Sequence, residues 1–312
     1  MNYGVPQGSV LGPLLFLIYI NDLNKAIQFC TTHHFADDTN LLYIGKTLKK
    51  IQKYVNLDLK FLCKWLKANK ISLNASKTEL IIFRDPRKIS TYDLKIKIDG
   101  KKLFPSKFVK YLGIYIDRHL SWQQQEKDMH SRLSRAIGML CKIRHFVKFE
   151  TLRMIYYGIF SSILMYGSQI WGQYDRIVEK LQILQNKALR IINFSPQRTS
   201  ATPFFKSNEK LVDSITLQNF LYAHDCLRKN LPYSLIDERF SLVTTDMNIR
   251  GMRLNQLEKI RTGTILYGSK SIKSKSVDAW NLVNEHLYQQ KLQNKSKLSC
   301  KKIVTTFLLD RY

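Results

Sequence analysis

Two adjacent carboxylates, Asp37 and Asp38, interrupt an otherwise largely apolar stretch, HHFADDTNLLYIG, and constrain the local fold more than anything else in the chain. Apolar residues flank the pair on both sides and Gly45 closes the segment, as expected of a strand, a tight turn and a returning strand. The two aspartates then sit at a β-bend and present hard oxygen ligands toward one point, the ligand type that magnesium prefers. Aspartate is common in turns for conformational reasons alone, so the pair takes its meaning from its surroundings.

Upstream, Gly4 to Gly8 (GVPQG) reads as a loop, with two glycines and a proline, and an apolar helical run follows to about Leu23. Leu11 to Ile20 has the look of a signal-peptide core. No Lys or Arg precedes it, no small-residue cleavage site follows it in NDLNKAIQ, and it is too short to span a bilayer. It is expected to be a helix buried on most sides. Downstream, Ile51, Val55, Leu62, Trp65 and Leu66 recur at helical spacing and predict an amphipathic helix over about Leu48 to Ala68. Strand-like pieces return at Leu80 to Phe83, at Leu94 to Ile98 with an Asp99-Gly100 turn, and at Phe108 to Ile116. From about residue 118 the strand signals fade. Met129, Leu133, Ala136, Ile137, Leu140, Ile143 and Val147 form one apolar helix face, and further helices are predicted over roughly Leu152 to Trp171, Ile177 to Ile192 and Leu211 to Lys229. The fold class is therefore α+β, mixed over residues 1–117 and mainly helical over 118–312.

Charge bears on partners. With 50 Lys+Arg against 24 Asp+Glu the chain carries a formal +26, so nucleic acid or an anionic membrane surface is the natural partner, with a merely solvated basic surface as the plain alternative. Apolar residues at 45% exclude a largely disordered chain. Cys30, Cys63, Cys141, Cys226 and Cys300 are scattered, with no CxxC or Cys/His cluster, so neither structural zinc nor disulfides are expected. That usage fits a reducing, intracellular setting, whether nucleus or cytoplasm.

Taken together, GVPQGSVLGPLLF, FADD with Asp37 thirty residues beyond Gln7, N-x-x-K-T-E at Asn74 to Glu79 and Y-L-G at Tyr111 to Gly113, in this order, resemble the reverse transcriptases of non-LTR (LINE-type) retrotransposons, above all the jockey-type elements. YGSQIWG (Tyr166 to Gly172), LQNKALRII (Leu184 to Ile192), AWNLVNEHL and FLLDRY extend the resemblance across essentially the whole chain. It implies a partial polymerase palm over residues 1–117 followed by a mainly helical thumb and C-terminal region over 118–312. It also implies an RNA-directed DNA polymerase with an RNA template, a DNA primer and deoxynucleoside triphosphates as partners, and no membrane.

The same resemblance makes Asp37 and Asp38 ligands of catalytic Mg2+, or Mn2+, in a reaction that uses two metals about 4 Å apart. Gln7 and Gly8 fall in the loop set against nucleotide and template. Lys77 is the candidate general acid for pyrophosphate or a cation near the triphosphate, and equally a lysine capping a turn. Tyr111, Leu112 and Gly113 match the strand that holds the primer end, or else are plain core strand. Arg132, Arg135 and Lys142, with His145, lie opposite the apolar face of their helix and could follow the phosphates of the template–primer duplex. The lysines of Ser269 to Ser276 and of Lys291 to Lys302 could add nonspecific affinity. Trp171, Gly172, Trp280 and Asn281 are expected in the core, and His33 and His34 in a strand. A complete palm takes a third carboxylate from a strand before the PQG loop, and only Met1, Asn2 and Tyr3 precede that motif here. The expectation is a polymerase fragment inactive by itself; the alternative is a basic nucleic-acid-binding relic without catalysis.

Overall fold

The apolar run is helical from Gly12 to Ile20 (α1), with Pro13 in the first turn, where its missing N–H costs nothing. The computed structural model describes residues 6, 8–85, 93–206, 208–230, 256–258, 268–287, 290 and 292–312. The chain divides into two compact units, one of residues 1–111 with 117–121 and one of 112–116 with 122–312.

In the first unit α1 differs from expectation. Leu14, Leu15, Leu17 and Ile18 are 46 to 65% exposed and Ile20 alone in the helix is buried. Apolar character on every side signals burial without naming the neighbour, and the described residues cover only the helix end. A 3-10 turn at Leu23–Ala26 leads to an antiparallel hairpin of Thr31–Phe35 (β1) and Asp38–Leu42 (β2). Helix α2 runs Leu48–Ala68, capped by the Thr47 side chain accepting from the Lys50 N–H. It lays Leu59, Leu62 and Leu66 against Leu23, Leu94, Ile96, Ile98 and Leu103, the core of this unit.

The last four of these core residues come from or adjoin a second hairpin, Ile96–Ile98 (β4) with Lys101–Leu103 (β5), whose Asp99-Gly100 turn takes positive φ at both residues, 45° and 79°, the mirror-image geometry that suits strand twist. Before it, Leu80–Ile81 (β3) pairs in parallel with Pro105–Ser106 (β6). The predicted strand over Phe108 to Ile116 is two strands, Phe108–Tyr111 (β7) and Ile114–Asp117 (β8). Between them Leu112 and Gly113 turn the chain at φ 46° and 81°. A leucine in the left-handed region costs about 1 kcal/mol, so nothing in its residue type announces the turn.

The second unit is helical. Gln123–Ile143 (α3) buries Met129, Leu133, Ala136, Ile137 and Leu140, with Val147 beyond its end. The predicted helix over Leu152 to Trp171 is broken into Phe149–Ile155 (α4), a π-helical turn at Tyr156–Ser161, Ser162–Met165 (α5) and, after Gly167 at φ 64°, Ser168–Trp171 (α6). Asp175–Ile192 (α7) and Leu211–Leu227 (α8) follow, then Ile272–Leu287 (α9) and Lys297–Leu309 (α10). Phe220 of α8 stacks on Trp280 of α9 at 4.9 Å, with Val283, Cys300 and Val304 around them. Trp280 and Trp171 are core residues, as expected, and Asn281 bonds both backbone groups of Leu257. Among the described residues no helix is long and apolar enough to cross a membrane.

Candidate metal-binding hairpin

Register fixes the acidic pair. Phe35 faces Asp38 and His34 faces Thr39, so Ala36 and Asp37 alone make the connection and Asp38 opens β2. Ala36 supplies the left-handed corner at φ 51°. Both carboxylates are exposed, and among the described residues neither enters an ion pair or hydrogen bond. Two hard, unshared oxygen donors at one turn suit a magnesium ion, which takes one or two carboxylates and completes its shell with water and phosphate. Among the described residues, no group of three or more acidic, His or Cys side chains comes together to hold a metal.

The hairpin is anchored from below by a residue the sequence reading passed over. Asp58, fully buried on α2, accepts the N–H of Gln28 at 3.0 Å on one oxygen and those of Phe29 and Cys30 at 2.9 and 2.6 Å on the other. Three consecutive backbone donors thus converge on one carboxylate just before β1 begins. Burial and this neighbouring carboxylate push the Cys30 thiol up to about 12. Asp58 lies on the apolar stripe between Val55 and Leu62, and an acid among such residues is the one signal that could have found it.

His34 crosses the strands. Its Nδ1 meets the Thr39 hydroxyl at 3.1 Å and its Nε2 meets Asn24 Oδ1 at 2.6 Å, while Thr32 donates to the same Asn24 oxygen. With Asn24 accepting, Nε2 carries the proton and Nδ1 accepts from Thr39. Burial and His33 lower the His34 pKa and favour this neutral form.

None of the remaining predicted site residues that are described is hydrogen-bonded or ion-paired to the carboxylates of Asp37 and Asp38. Gln7 lies outside the described residues. Gly8 is exposed at φ 84°, a conformation that calls for glycine, and a Cβ there would meet nothing within 4 Å. Lys77 is exposed at the end of a turn organised by Asn74, whose side-chain oxygen accepts from Ser76 and from the Lys77 N–H. Among the described residues neither Gly8 nor Lys77 is bonded to the acidic pair.

Tyr111, Leu112 and Gly113, read as a strand, instead end β7 and form the turn after it. Within the second unit Tyr166 donates its hydroxyl proton to the Leu112 carbonyl at 2.6 Å and its ring lies 3.3 Å from where a Gly113 Cβ would stand. Trp171 in turn donates from its indole to the Tyr166 carbonyl at 3.0 Å. The YGSQIWG segment therefore holds Leu112 and Gly113, a role with no signal in the sequence pattern. On α3, Arg135 and Lys142 are exposed, whereas Arg132 faces Asp128 at 3.5 Å, one helical turn back.

Residues 1–116 match the family described as reverse transcriptase (RNA-dependent DNA polymerase). The chain is 31% identical over 221 residues to a probable RNA-directed DNA polymerase from transposon BS of Drosophila melanogaster. It is 29% identical over 208 residues to the RNA-directed DNA polymerase from mobile element jockey of Drosophila funebris, and 28% over 199 to a probable RNA-directed DNA polymerase from transposon X-element of Drosophila melanogaster. These matches cover 65, 62 and 61% of this chain but only 23, 22 and 21% of the relatives, so the chain spans less than a quarter of their length. No solved structure matches it.

Proposed function

We propose that this chain, whose residues 1–116 match the reverse transcriptase family and which is similar to the polymerases of jockey-like non-LTR retrotransposons, is the part of an RNA-directed DNA polymerase in which Asp37 and Asp38 bind the catalytic magnesium, or manganese, ions. The observation that carries this reading is the exposed, unpaired acidic pair on a two-residue turn whose base is locked by Asp58. Bound ions would activate the attacking hydroxyl and neutralise the leaving pyrophosphate. The turn holds both carboxylates outward, and α2 keeps them there when a polyanionic triphosphate approaches. Gln7 and Gly8 are assigned to the nucleotide and template, and Lys77 to the triphosphate. The turn at Tyr111 to Gly113 takes the primer end, braced by Tyr166. In this reading residues 1–117 are a partial palm and 118–312 a thumb and C-terminal region, with Arg135 and Lys142 on the duplex backbone and Arg132 ordered by Asp128.

Two carboxylates are fewer than the reaction uses, and among the described residues no third joins them. The chain alone is therefore expected to give no product in primer extension on poly(rA)/oligo(dT) with magnesium. Fused to the upstream part of a jockey-like reverse transcriptase it should extend the primer, and Asp37→Ala or Asp38→Ala should abolish extension. Extension that survives either substitution sinks the assignment. A second reading, binding without catalysis, is favoured by the +26 charge. It requires affinity for an RNA–DNA hybrid to fall steeply with salt, about 0.9 in log–log slope for each phosphate contacted.

A further inference from the structure

The second unit carries an aromatic and basic surface that this reading does not use. Residues 129–149 contain no Asp or Glu, and neither do residues 180–208. In a folded protein such stretches are ordinarily interrupted by acids, and here the two meet at the C-terminal ends of α3 and α7. The Arg144 guanidinium sits over the Phe194 ring at 5.5 Å, and His145 approaches the same ring edge-on at 5.9 Å. Arg144 also donates from Nε to His145 Nε2 at 3.0 Å, which holds the two side chains together.

Neither aromatic residue here is explained by packing. Phe194 is 53% exposed and Phe146, next to His145, is 87% exposed. Phe194 further adopts φ 54°, a left-handed conformation that costs a non-glycine residue about 1 kcal/mol or more. Phe194 takes this conformation as the cap of α7, its N–H donating to the Ile191 carbonyl at 3.3 Å and the Ser195 N–H to the Arg190 carbonyl at 2.9 Å, so the backbone is accounted for while half the ring, beside Arg144 and His145, is left in water.

We propose that Phe194, Phe146, Arg144 and His145 form a stacking platform for a base of single-stranded nucleic acid, with the surrounding cations holding its phosphates. Every base has a π-face, aromatic rings and guanidinium planes take it up, and a field without carboxylates draws in the backbone. Single strands are specified because duplex bases are already stacked on one another. The platform belongs to the second unit, not to the unit that carries the acidic pair, and needs neither metal nor nucleotide, so it can be tested separately from the polymerase reading.

The test uses the whole chain in EDTA, with labelled oligo(U) and oligo(dT) of about 16 nucleotides and a hybrid duplex of the same length, followed by anisotropy. Phe194→Ala and Phe146→Ala are each expected to weaken single-strand binding about 5- to 100-fold while leaving hybrid affinity within about twofold and the salt slope unchanged. Arg144→Gln should lower the single-strand slope by about 0.7. Phe194→Gly separates folding from binding, since glycine accepts the positive φ without strain: stability should hold or rise while single-strand affinity still falls. Wild-type affinity in the phenylalanine variants, or equal losses for single strand and hybrid, would overturn the platform. So would a surface that ignores both oligonucleotides and binds an acidic peptide instead.

Discussion

Replacing Asp58 tests whether the acidic hairpin is held by one buried carboxylate. Its two oxygens accept three consecutive backbone N–H groups at 3.0, 2.9 and 2.6 Å, and the side chain is fully buried. Asp58→Ala strands all three donors. Each unsatisfied buried donor costs about 1–3 kcal/mol, and allowing for non-additivity and partial water entry the loss should be about 3–5 kcal/mol. Asp58→Asn keeps one acceptor and turns an NH2 toward the remaining donors, so about 2 kcal/mol is expected. Because the two units need not unfold together, a global midpoint is the wrong readout, and local hydrogen exchange of residues 28–42 is the right one. Protection there should fall about 100-fold or more in Asp58→Ala, at about 1.4 kcal/mol per tenfold. Asp99→Ala, which removes an exposed partner of Lys67, should leave it unchanged. Protection within about threefold of wild type in Asp58→Ala would show that the carboxylate does not hold the hairpin.

Other expectations follow from the same structure. With its pKa near 12 against an ordinary 9.0, Cys30 holds its proton and should be alkylated at pH 8 far more slowly than exposed Cys141; Asp58→Asn should speed that reaction. The folded chain binds this proton more tightly than the unfolded one, so the stability it contributes is complete below about pH 9 and is lost as pH rises toward 12. His34 has the opposite sign: its lowered pKa means stability is full above the ordinary histidine value of 6.5 and declines as pH falls below it, which an NMR titration of the ring would follow. Gly172→Ala would set a Cβ 2.2 Å from the Ser168 carbonyl oxygen and 2.7 Å from Ile215, and should cost about 3 kcal/mol in denaturant melts. Gly138→Ala, on α3 with nothing within 4 Å, should instead stabilise by about 0.5–1 kcal/mol.

What could be read from the sequence divides along physical lines. Periodicity placed α2 at Leu48 to Ala68 because capping and spacing are local, and Asp99-Gly100 announced its turn because both residues accept positive φ. The turn at Leu112 was hidden because leucine ordinarily refuses that conformation and the flanking residues are strongly β-forming. The long helix over Leu152 to Trp171 was misread because a π-turn keeps helical composition and only Gly167 marked the break. The apolar pattern of α1 carried no information about which residues would cover it. For the site, the acidic pair and the excess of cations were visible. Asp58, the one acid of α2, stands out on its apolar stripe, but its backbone partners lie 28 to 30 residues back, and the bond from Tyr166 to Leu112 joins residues 54 apart, which no local pattern encodes.

The hairpin that displays Asp37 and Asp38 is measured by length more than by composition. Successive side chains on a strand point to opposite faces, so a one-residue slip of β2 against β1 would reverse every position of β2 and turn Asp38 away from its neighbour. Outside the acidic pair, substitutions that keep this pairing leave the turn where it is, whereas a shift of the register by one residue would dismantle the pair at a stroke.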